Sequence, residues 1–239
     1  MKEIINSIAM ATYNGEKYIK EQIDSILENM DICDELIISD DGSTDNTIEI
    51  IKNYQKKDKR IKLFKGPGRG VKQNFMNAIE HTSGKYIFLS DQDDVWDKNK
   101  IKIIDKIFEE NNYNVVVHNA IIVDKNLKPY KKDFFKFRHS GTGILKNIYK
   151  NRYIGCCMAF KRELIEKIIP IPNNIEMHDQ WIGILGERYG KNIFINEKLI
   201  KYRRHEDNLS RMTHNPVKIM IKNRVNLIKE LKKEKRRHK

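Results

Sequence analysis

The first half of the sequence alternates short apolar runs with segments whose apolar residues recur at helical spacing. The apolar runs lie at residues 3–10, 36–38, 61–64 and 85–89, and the helical pattern lies at residues 18–27, 71–79 and 101–108. A short apolar run bounded by turn residues suits a buried strand. Strands that alternate with helices are typical of a mostly parallel central sheet flanked by helices, the Rossmann-like arrangement. We therefore predict an α/β fold of this kind.

Polar turns follow three of the predicted strands, after Met10, Ile38 and Leu89. In open parallel sheets, ligands bind beyond the carboxyl ends of the strands. We expect the three turns to lie together and to form one site.

The third turn, Ser90–Trp96 (SDQDDVW), places three carboxylates within four positions directly after a buried strand. Carboxylates crowded in this way repel one another unless a positive group lies among them. A hard divalent cation, held by oxygen ligands and able to bridge substrate phosphates, fits this requirement. The alternative is a solvated acidic turn that caps the next helix.

The second half of the sequence is less regular. It predicts strands at 115–123 and 153–160, two short strands near Ile193 and Tyr202, a helix that opens at 177–181, and a loop or short helices over 125–150. We expect residues 125–150 to cover the cleft. The pattern does not indicate which acceptor such a cover would select.

The charge of the chain is concentrated near its end. The 239 residues carry a formal net charge of +13. Residues 215–239 contain ten Lys or Arg and two Glu, which is +8, so the remainder carries +5. A nucleic-acid-binding face would interleave basic and aromatic residues, whereas the predicted site is acidic. We therefore expect an anionic partner other than nucleic acid.

Residues 215–239 have the pattern of a basic amphipathic helix that Pro216 can start. Such a helix suits the surface of an anionic membrane; the alternative is a helix packed on its own domain. The three cysteines show no disulfide framework, and no apolar run approaches the ~20 residues of a membrane span. We expect a cytoplasmic protein that lies peripherally at the inner face of the plasma membrane.

Four motifs in order, TYNGEKYI, SDDGSTD, SDQDDVW and HDQW, resemble those of family 2 glycosyltransferases with the GT-A fold. The resemblance covers about residues 4–210. It implies inverting transfer of a sugar from a nucleoside diphosphate to an acceptor hydroxyl, with Mn²⁺ or Mg²⁺ as cofactor. It also implies one domain at 1–214, with a nucleotide-sugar half at about 1–112 and an acceptor half at about 113–214, followed by the helix or tail at 215–239.

The resemblance also implies roles for particular residues. Asp179 corresponds to the catalytic base, Asp93 and His205 to metal ligands, and Asp91 to the ribose contact. The expected nucleotide-sugar contacts are Ala11, Thr12, Tyr13, Glu16, Asp41, Arg69, Asn74, Asp91 and Gln92, and the expected acceptor contacts are Trp181, Cys156 and His178. On the residues alone, Asp179 could instead be a helix N-cap and His205 an ordinary partly buried histidine.

The spelling SDQDDVW is similar to that of bacterial rhamnosyltransferases, which implies dTDP-rhamnose as donor and an acceptor on a lipid-linked glycan. A UDP-hexose is the alternative donor. A sugar-phosphate nucleotidyltransferase is an alternative class, but it would need a Gly-rich, basic loop after the first strand, and residues 11–15 contain one Gly and no basic residue. A non-enzymatic nucleic-acid binder is the third class, and the acidic turns disfavour it.

Overall fold

The computed structural model describes residues 3–206, 208 and 216–237, and its first half contains the predicted alternation of strands and helices. The elements are β1 (Asn6–Thr12), α1 (Ile19–Leu27), β2 (Asp34–Asp40), α2 (Thr47–Lys57), β3 (Ile61–Lys65), α3 (Val71–Glu80), β4 (Tyr86–Ser90), β5 (Val95–Trp96) and α4 (Lys100–Glu110). Every residue of β1, β2 and β4 is buried. Continuous apolar runs form these strands because both of their faces are covered.

The second half adds five further helices and four further strands among the described residues. They are β6 (Val115–Val123), β7 (Pro129–Lys131), α5 (Phe134–Arg138), α6 (Ile144–Tyr149), β8 (Met158–Lys161), α7 (Ile165–Ile168), α8 (His178–Tyr189), β9 (Asn192–Arg203) and α9 (Val217–Arg237). The region expected to be a loop or short helices is thus β7, α5 and α6.

Two predictions for this half were wrong in detail. The strand expected at 153–160 begins only at Met158, because residues Gly155–Cys157 form a turn of 3₁₀ helix. The two short strands near Ile193 and Tyr202 are one strand, β9. Its register against β6 shifts twice, near Asn119. Such irregularities obscure the alternation of polar and apolar residues on which the sequence prediction relied.

The described strands form one sheet in the order β3-β2-β1-β4-β8-β6-β9-β5, with β7 paired to β6. The pairs β1–β2, β1–β4, β2–β3 and β6–β9 are parallel, and β8 lies antiparallel between β4 and β6. β1, β2, β3, β4, β6 and β9 therefore run in one direction, which confirms the predicted α/β class. The polar turns after β1, β2 and β4 leave the sheet at the same edge.

The C-terminal helix α9 packs on this body through one face. Leu227 and Leu231 are buried, and Arg188 of α8 donates to the Leu231 carbonyl at 2.7 Å. Full burial of a leucine side chain contributes about 2 kcal/mol to stability. Of the two arrangements open for this segment, the structure shows packing on the domain. No described helix combines the length and the apolar character needed to cross a membrane.

Candidate functional site

The ends of β1 and β2 are joined by hydrogen bonds among the predicted nucleotide-sugar contacts. Thr12 donates its hydroxyl to Asp40 at 2.9 Å, and the Asp41 amide donates to the Thr12 carbonyl at 2.9 Å. The Asn74 amide donates to the carbonyls of Thr12 and Ser39 at 3.1 and 2.9 Å. Asn74 thus holds the two strand ends together from α3. A contact from Asn74 to nucleotide stays a prediction.

In the turn that follows β2, here called the β2 turn (residues 40–46), both aspartate side chains accept hydrogen bonds from backbone amides. Asp40 accepts from the Gly42 and Ser43 amides at 3.1 and 2.8 Å. Asp41 accepts from the amides of Gly68 and Gly70 at 2.7 and 2.8 Å. These bonds keep the β2 turn and the loop before α3 in a fixed relation.

The loop held by Asp41 presents Arg69 between two glycines. Gly68 and Gly70 have φ angles of +66° and +84°, a region that a side chain disfavours. Arg69 is exposed at the tip. The loop therefore places a cation at the same sheet edge as the polar turns, and a contact from Arg69 to nucleotide-sugar stays a prediction.

The β1 and β4 turns are linked by Gln92. Its carboxamide accepts from the Tyr13 amide and donates to the Tyr13 carbonyl, both at 2.9 Å. A Cβ at Gly15 would lie 2.3 Å from the Gln92 oxygen, so a side chain there would displace the Gln92 carboxamide. Ala11 is buried just before this link, and Glu16 just after it accepts from the Asn46 amide at 3.0 Å. Gln92 and Glu16 therefore have structural partners in addition to any role toward nucleotide.

The turn that follows β4, here called the β4 turn (residues 91–94), is acidic, with Asp94 buried and Asp91 and Asp93 half-buried. Burial, and then the neighbouring charges of Asp93 and Asp179, raise the pKa of Asp91 to about 7. Burial, with Asp93 and Asp91 beside it, raises the pKa of Asp94 well above its ordinary value. One Asp94 oxygen accepts from the Arg203 amide at 2.9 Å, and the other has no hydrogen-bond partner among the described residues.

Asp93 lies beside the predicted second metal ligand. The Nε2 atom of His205 is 2.9 Å from Oδ2 of Asp93, and the Asn208 amide donates to the same oxygen at 2.9 Å. Arg203 fixes the backbone by donating to the Asp93 carbonyl at 2.7 Å. The structure therefore brings Asp93 and His205 together. Asn208 is an additional contact that the sequence reasoning missed.

A buried lysine below the β4 turn was also missed. Lys100 is fully buried, donates to the Cys156 carbonyl at 2.9 Å and lies 3.7 Å from the centre of the Trp96 ring. Burial lowers the pKa of Lys100 to about 8. Lys100 is the first residue of α4, and a cation at a helix N-terminus is disfavoured by the helix dipole. A lysine at this unfavourable position was the one feature of the sequence that could have indicated a nearby negative charge.

Asp179 lies in the first turn of α8 and is 6% exposed. It accepts from the Asn151 amide at 2.9 Å and from the Gln180 backbone amide at 2.7 Å. Burial raises the pKa of Asp179 to about 6. A Cβ at Gly155 would lie 3.7 Å from the Asp179 Cβ, and the thiol of the next residue, Cys156, lies within 4.8 Å of an Asp91 carboxylate oxygen. Residues 155–156 therefore join the α8 N-terminus to the β4 turn. Asn151 was not predicted, and its position in a loop gave no sequence signal.

The three predicted acceptor contacts are buried. Trp181 is 1% exposed and donates its indole N–H to the Ile168 carbonyl at 2.9 Å, so it is a core residue and we do not retain it as an acceptor contact. His178 stacks on Phe75 with ring centres 4.1 Å apart, and burial lowers its pKa to about 3. Cys156 has its thiol within 4.8 Å of carboxylate oxygens of Asp91 and Asp94. Cys156 therefore packs against the β4 turn, and His178 packs on Phe75 of α3 next to Asp179.

The side chains of the β4 turn fit a divalent cation. An Asp94 oxygen is buried with no hydrogen-bond partner among the described residues, and burial together with repulsion among the carboxylates raises the pKa values of Asp91 and Asp94. Both features are relieved by a positive ion with several oxygen ligands. Asp93, His205, Asp91 and Asp94 are the residues that could hold it. The buried Cys156 thiol is a softer neighbour and not a preferred ligand of Mg²⁺.

This fold and this site define a glycosyltransferase of the GT-A class. The profile of the family described as Glycosyl transferase family 2 matches residues 7–169, and the chain belongs to that family. The dTDP-rhamnosyl transferase RfbG of Shigella flexneri is 32% identical over 216 residues, which cover 83% of this chain and 72% of RfbG.

Solved structures show the same fold. TarS 1–349 of S. aureus, in complex with UDP-GlcNAc, matches with a TM-score of 0.70 at 20% identity over 86% of this chain and 60% of that one. The mannosyltransferase PcManGT of Pyrobaculum calidifontis, in complex with GDP-Man and Mn²⁺, matches with a TM-score of 0.60 at 19% identity over 83% of this chain and 56% of that one. This chain therefore spans less than two thirds of either solved chain.

Proposed function

We propose that this chain transfers a sugar, with inversion, from a nucleoside diphosphate to an acceptor hydroxyl in the synthesis of a bacterial polysaccharide or lipid-linked glycan. The observation that carries the proposal is the approach of two acidic elements, the β4 turn and the α8 N-terminus, which residues 155–156 contact on both sides. Inversion needs a base on the side of the sugar opposite the leaving group. Two facing acidic elements suit this division of roles.

Asp179 is the proposed general base. Its pKa of about 6 lies close enough to neutral pH for it to be ionised yet basic enough to accept a proton. Asn151 and the Gln180 amide hold its carboxylate in one orientation. In this role Asp179 takes the proton of the acceptor hydroxyl as the oxygen attacks the anomeric carbon.

The β1, β2 and β4 turns are the proposed donor site. Thr12, Tyr13 and Asp41 would contact the base and Asp91 the ribose, as the family resemblance implies. Arg69 is the proposed diphosphate contact, and the bonds that the Gly68 and Gly70 amides donate to Asp41 hold the loop that carries it. Gln92 fixes Tyr13 relative to the β4 turn.

Asp93 and His205 are the proposed protein ligands of Mn²⁺ or Mg²⁺, with the β4 carboxylates beside them. A divalent cation bound there would offset the charge of the diphosphate and help the nucleoside diphosphate to leave. The presence of Mn²⁺ in the PcManGT complex supports this assignment by analogy of fold. The identity of the ion is part of the test described below.

The proposed donor is dTDP-rhamnose, with a UDP-hexose as the second candidate. The relationship to RfbG, a dTDP-rhamnosyl transferase, supports the first, and the UDP-GlcNAc complex of TarS supports the second. A methyl in a fitted pocket contributes about 1 kcal/mol, so we expect dTDP to bind more tightly than UDP by roughly tenfold or less.

A nucleotide-sugar panel tests the proposed function. Purified full chain should release nucleoside diphosphate from dTDP-rhamnose in the presence of Mn²⁺ or Mg²⁺, and EDTA should stop the release. Competition between dTDP and UDP, measured by calorimetry, gives the preference. Transfer from a UDP-hexose with none from dTDP-rhamnose would replace the proposed donor by the second candidate, and no turnover of any nucleotide sugar would remove the proposal.

A further inference from the structure

The helix α9 has two faces that the structure separates clearly. One face packs on the domain through Leu227 and Leu231. Both acidic residues of the helix, Glu230 and Glu234, lie on this same buried face. They are paired there, Glu230 with Asn174 at 2.9 Å and Glu234 with Arg188 at 2.6 Å. The outward face of α9 therefore carries no carboxylate over residues 217–237.

The contacts of α9 fix which way its outward face points. Arg188 holds the helix near Leu231, and Arg224 donates to the Tyr149 carbonyl of α6 at 2.7 Å. The Arg224 guanidinium also lies 4.9 Å from the centre of the Tyr149 ring. The helix is thus attached at two points separated by about two turns. Its exposed residues have a defined position beside α6.

The outward face carries an apolar stripe. Val217, Ile221, Val225 and Ile228 recur at spacings of four, four and three, which places them on one side of a helix. They are between 39% and 70% exposed. On α6, Leu145 and Tyr149 are 82% and 72% exposed and lie one turn apart on the same side. Together these six exposed residues form the α6–α9 surface.

A basic stripe runs beside the apolar one. Lys218, Lys222, Lys229 and Arg236 recur at spacings of four, seven and seven, and all four are exposed. At 100° per residue they lie next to the apolar stripe and away from Leu227 and Leu231. Apolar side chains flanked by cations, with every carboxylate turned inward, are the complement of an anionic lipid leaflet.

We propose that the α6–α9 surface docks this enzyme on an anionic membrane, with Leu145, Tyr149 and the apolar stripe inserted and the basic stripe against lipid headgroups. The inference rests on the proposed function, since a surface beside the acceptor half suits an acceptor carried by a lipid. The outward face of α9 carries only positive charge, whereas both carboxylates of the helix are buried. This separation of charge favours an anionic surface over a second copy of this basic chain or a protein partner.

The test is co-sedimentation of the full chain with vesicles of phosphatidylcholine alone and with 30% phosphatidylglycerol. We expect binding to the anionic vesicles at low salt, at least tenfold weaker binding to the neutral ones, and release at high salt because screening weakens charge attraction. Equal binding to both vesicles would overturn the charge argument.

Variants locate the contact. I221E/I228E and, separately, K218E/K222E/K229E should each weaken vesicle binding at least tenfold. The matched controls are I32E, at an apolar residue that is 68% exposed elsewhere, and K52E/K56E on α2, which should bind as the wild type does. Equal losses in the controls would show that general charge, and not the α6–α9 surface, drives binding.

Two further readouts separate the outcomes. Each variant should keep the wild-type affinity for nucleotide and its melting temperature. Should the chain turn over no nucleotide sugar yet bind vesicles through this surface, the proposed function fails and the docking surface stands. Sedimentation velocity tests the other occupant: a concentration-dependent dimer that I221E/I228E abolishes, without vesicle binding in the wild type, would assign the surface to a second copy.

Discussion

The β2 turn and the β4 turn carry similar carboxylates at the same edge of one sheet, but their surroundings differ. In the β2 turn, Asp40 and Asp41 accept hydrogen bonds from the backbone amides of Gly42, Ser43, Gly68 and Gly70. In the β4 turn, the carboxylates of half-buried Asp91 and buried Asp94 lie within 4.8 Å of each other, and one Asp94 oxygen has no partner among the described residues. The carboxylates of the β2 turn have hydrogen-bond donors within the protein, whereas the carboxylates of the β4 turn have more negative charge than the protein offsets.

The comparison distinguishes an acidic turn that stabilises the fold from an acidic turn that favours binding of a cation. Backbone amides compensate the carboxylates of the β2 turn, so these residues contribute to folding as well as to any ligand. Lys100 is a buried cation whose charge acts on Asp91 and Asp94, and burial lowers its pKa to about 8. One lysine beside three aspartates leaves a net negative site, which favours a cation. The predictions below test this contrast.

The largest effect is expected from Asp93→Ala. Loss of a carboxylate ligand should abolish the metal dependence of nucleotide binding, because few protein ligands remain. Calorimetry with and without Mn²⁺ measures this. The matched change in the β2 turn, Asp41→Ala, should keep the Mn²⁺ dependence even where it weakens nucleotide binding. Unchanged Mn²⁺ dependence in Asp93→Ala would show that the metal assignment is wrong.

The next largest effect is expected from Asp179→Asn, the acidic residue that faces the β4 turn. Transfer should fall by about 10²-fold, the usual contribution of a general base, while the fold and donor binding persist. In the wild type, kcat/KM should fall below about pH 6, because burial raises the pKa of Asp179 to about 6 and the protonated acid cannot accept a proton. Turnover near that of the wild type in the variant would exclude Asp179 from the mechanism.

The two turns should also respond differently to loss of a carboxylate in the metal-free protein. Asp40→Ala removes the acceptor of the part-buried Gly42 and Ser43 amides and leaves the buried Thr12 hydroxyl only the longer bond to the Ser39 carbonyl, so it should lower the free energy of unfolding by about 2–4 kcal/mol. Asp94→Asn removes a repelled charge yet keeps an oxygen for the Arg203 amide, so the change should be under about 1 kcal/mol. Urea unfolding compares the two variants. Equal destabilisation by both would remove the contrast between the turns.

The smallest effect is the pH dependence of metal-free stability. The pKa of Asp91 is about 7 in the folded protein, above its ordinary value of 3.8. The folded state therefore binds more protons than the unfolded state between these values, so this contribution to stability falls as pH rises from about 4 to about 7. A shift of this size corresponds to about 4 kcal/mol, but solvent reaches the half-buried Asp91 and screens its neighbours, so we expect about 1 kcal/mol, or about 2–4 °C in Tm. The difference in Tm between wild type and Asp91→Asn should show this trend, and saturating Mn²⁺ should reduce it.

Much of the fold was predictable because its signal is local. The continuous apolar runs at β1, β2 and β4 reflect burial of both strand faces, and any such run followed by a polar turn brings that turn to the carboxyl edge. The motifs around Thr12, Asp41, Asp93 and Asp179 supplied the family resemblance, and the family is confirmed. The roles assigned to these individual residues stay predictions.

Other features depend on residues far apart in the chain. Lys100 acquires its role only because the carbonyl of Cys156 and the ring of Trp96 meet it below the β4 turn. Trp181 follows Asp179 by two positions, yet it points into the core, since residues two apart on a helix lie on different faces. The amphipathic pattern of residues 217–237 was visible in the sequence. Which apolar stripe of α9 is buried was decided by its contacts with α6 and α8, because a helix with apolar residues around much of its circumference can pack on more than one side.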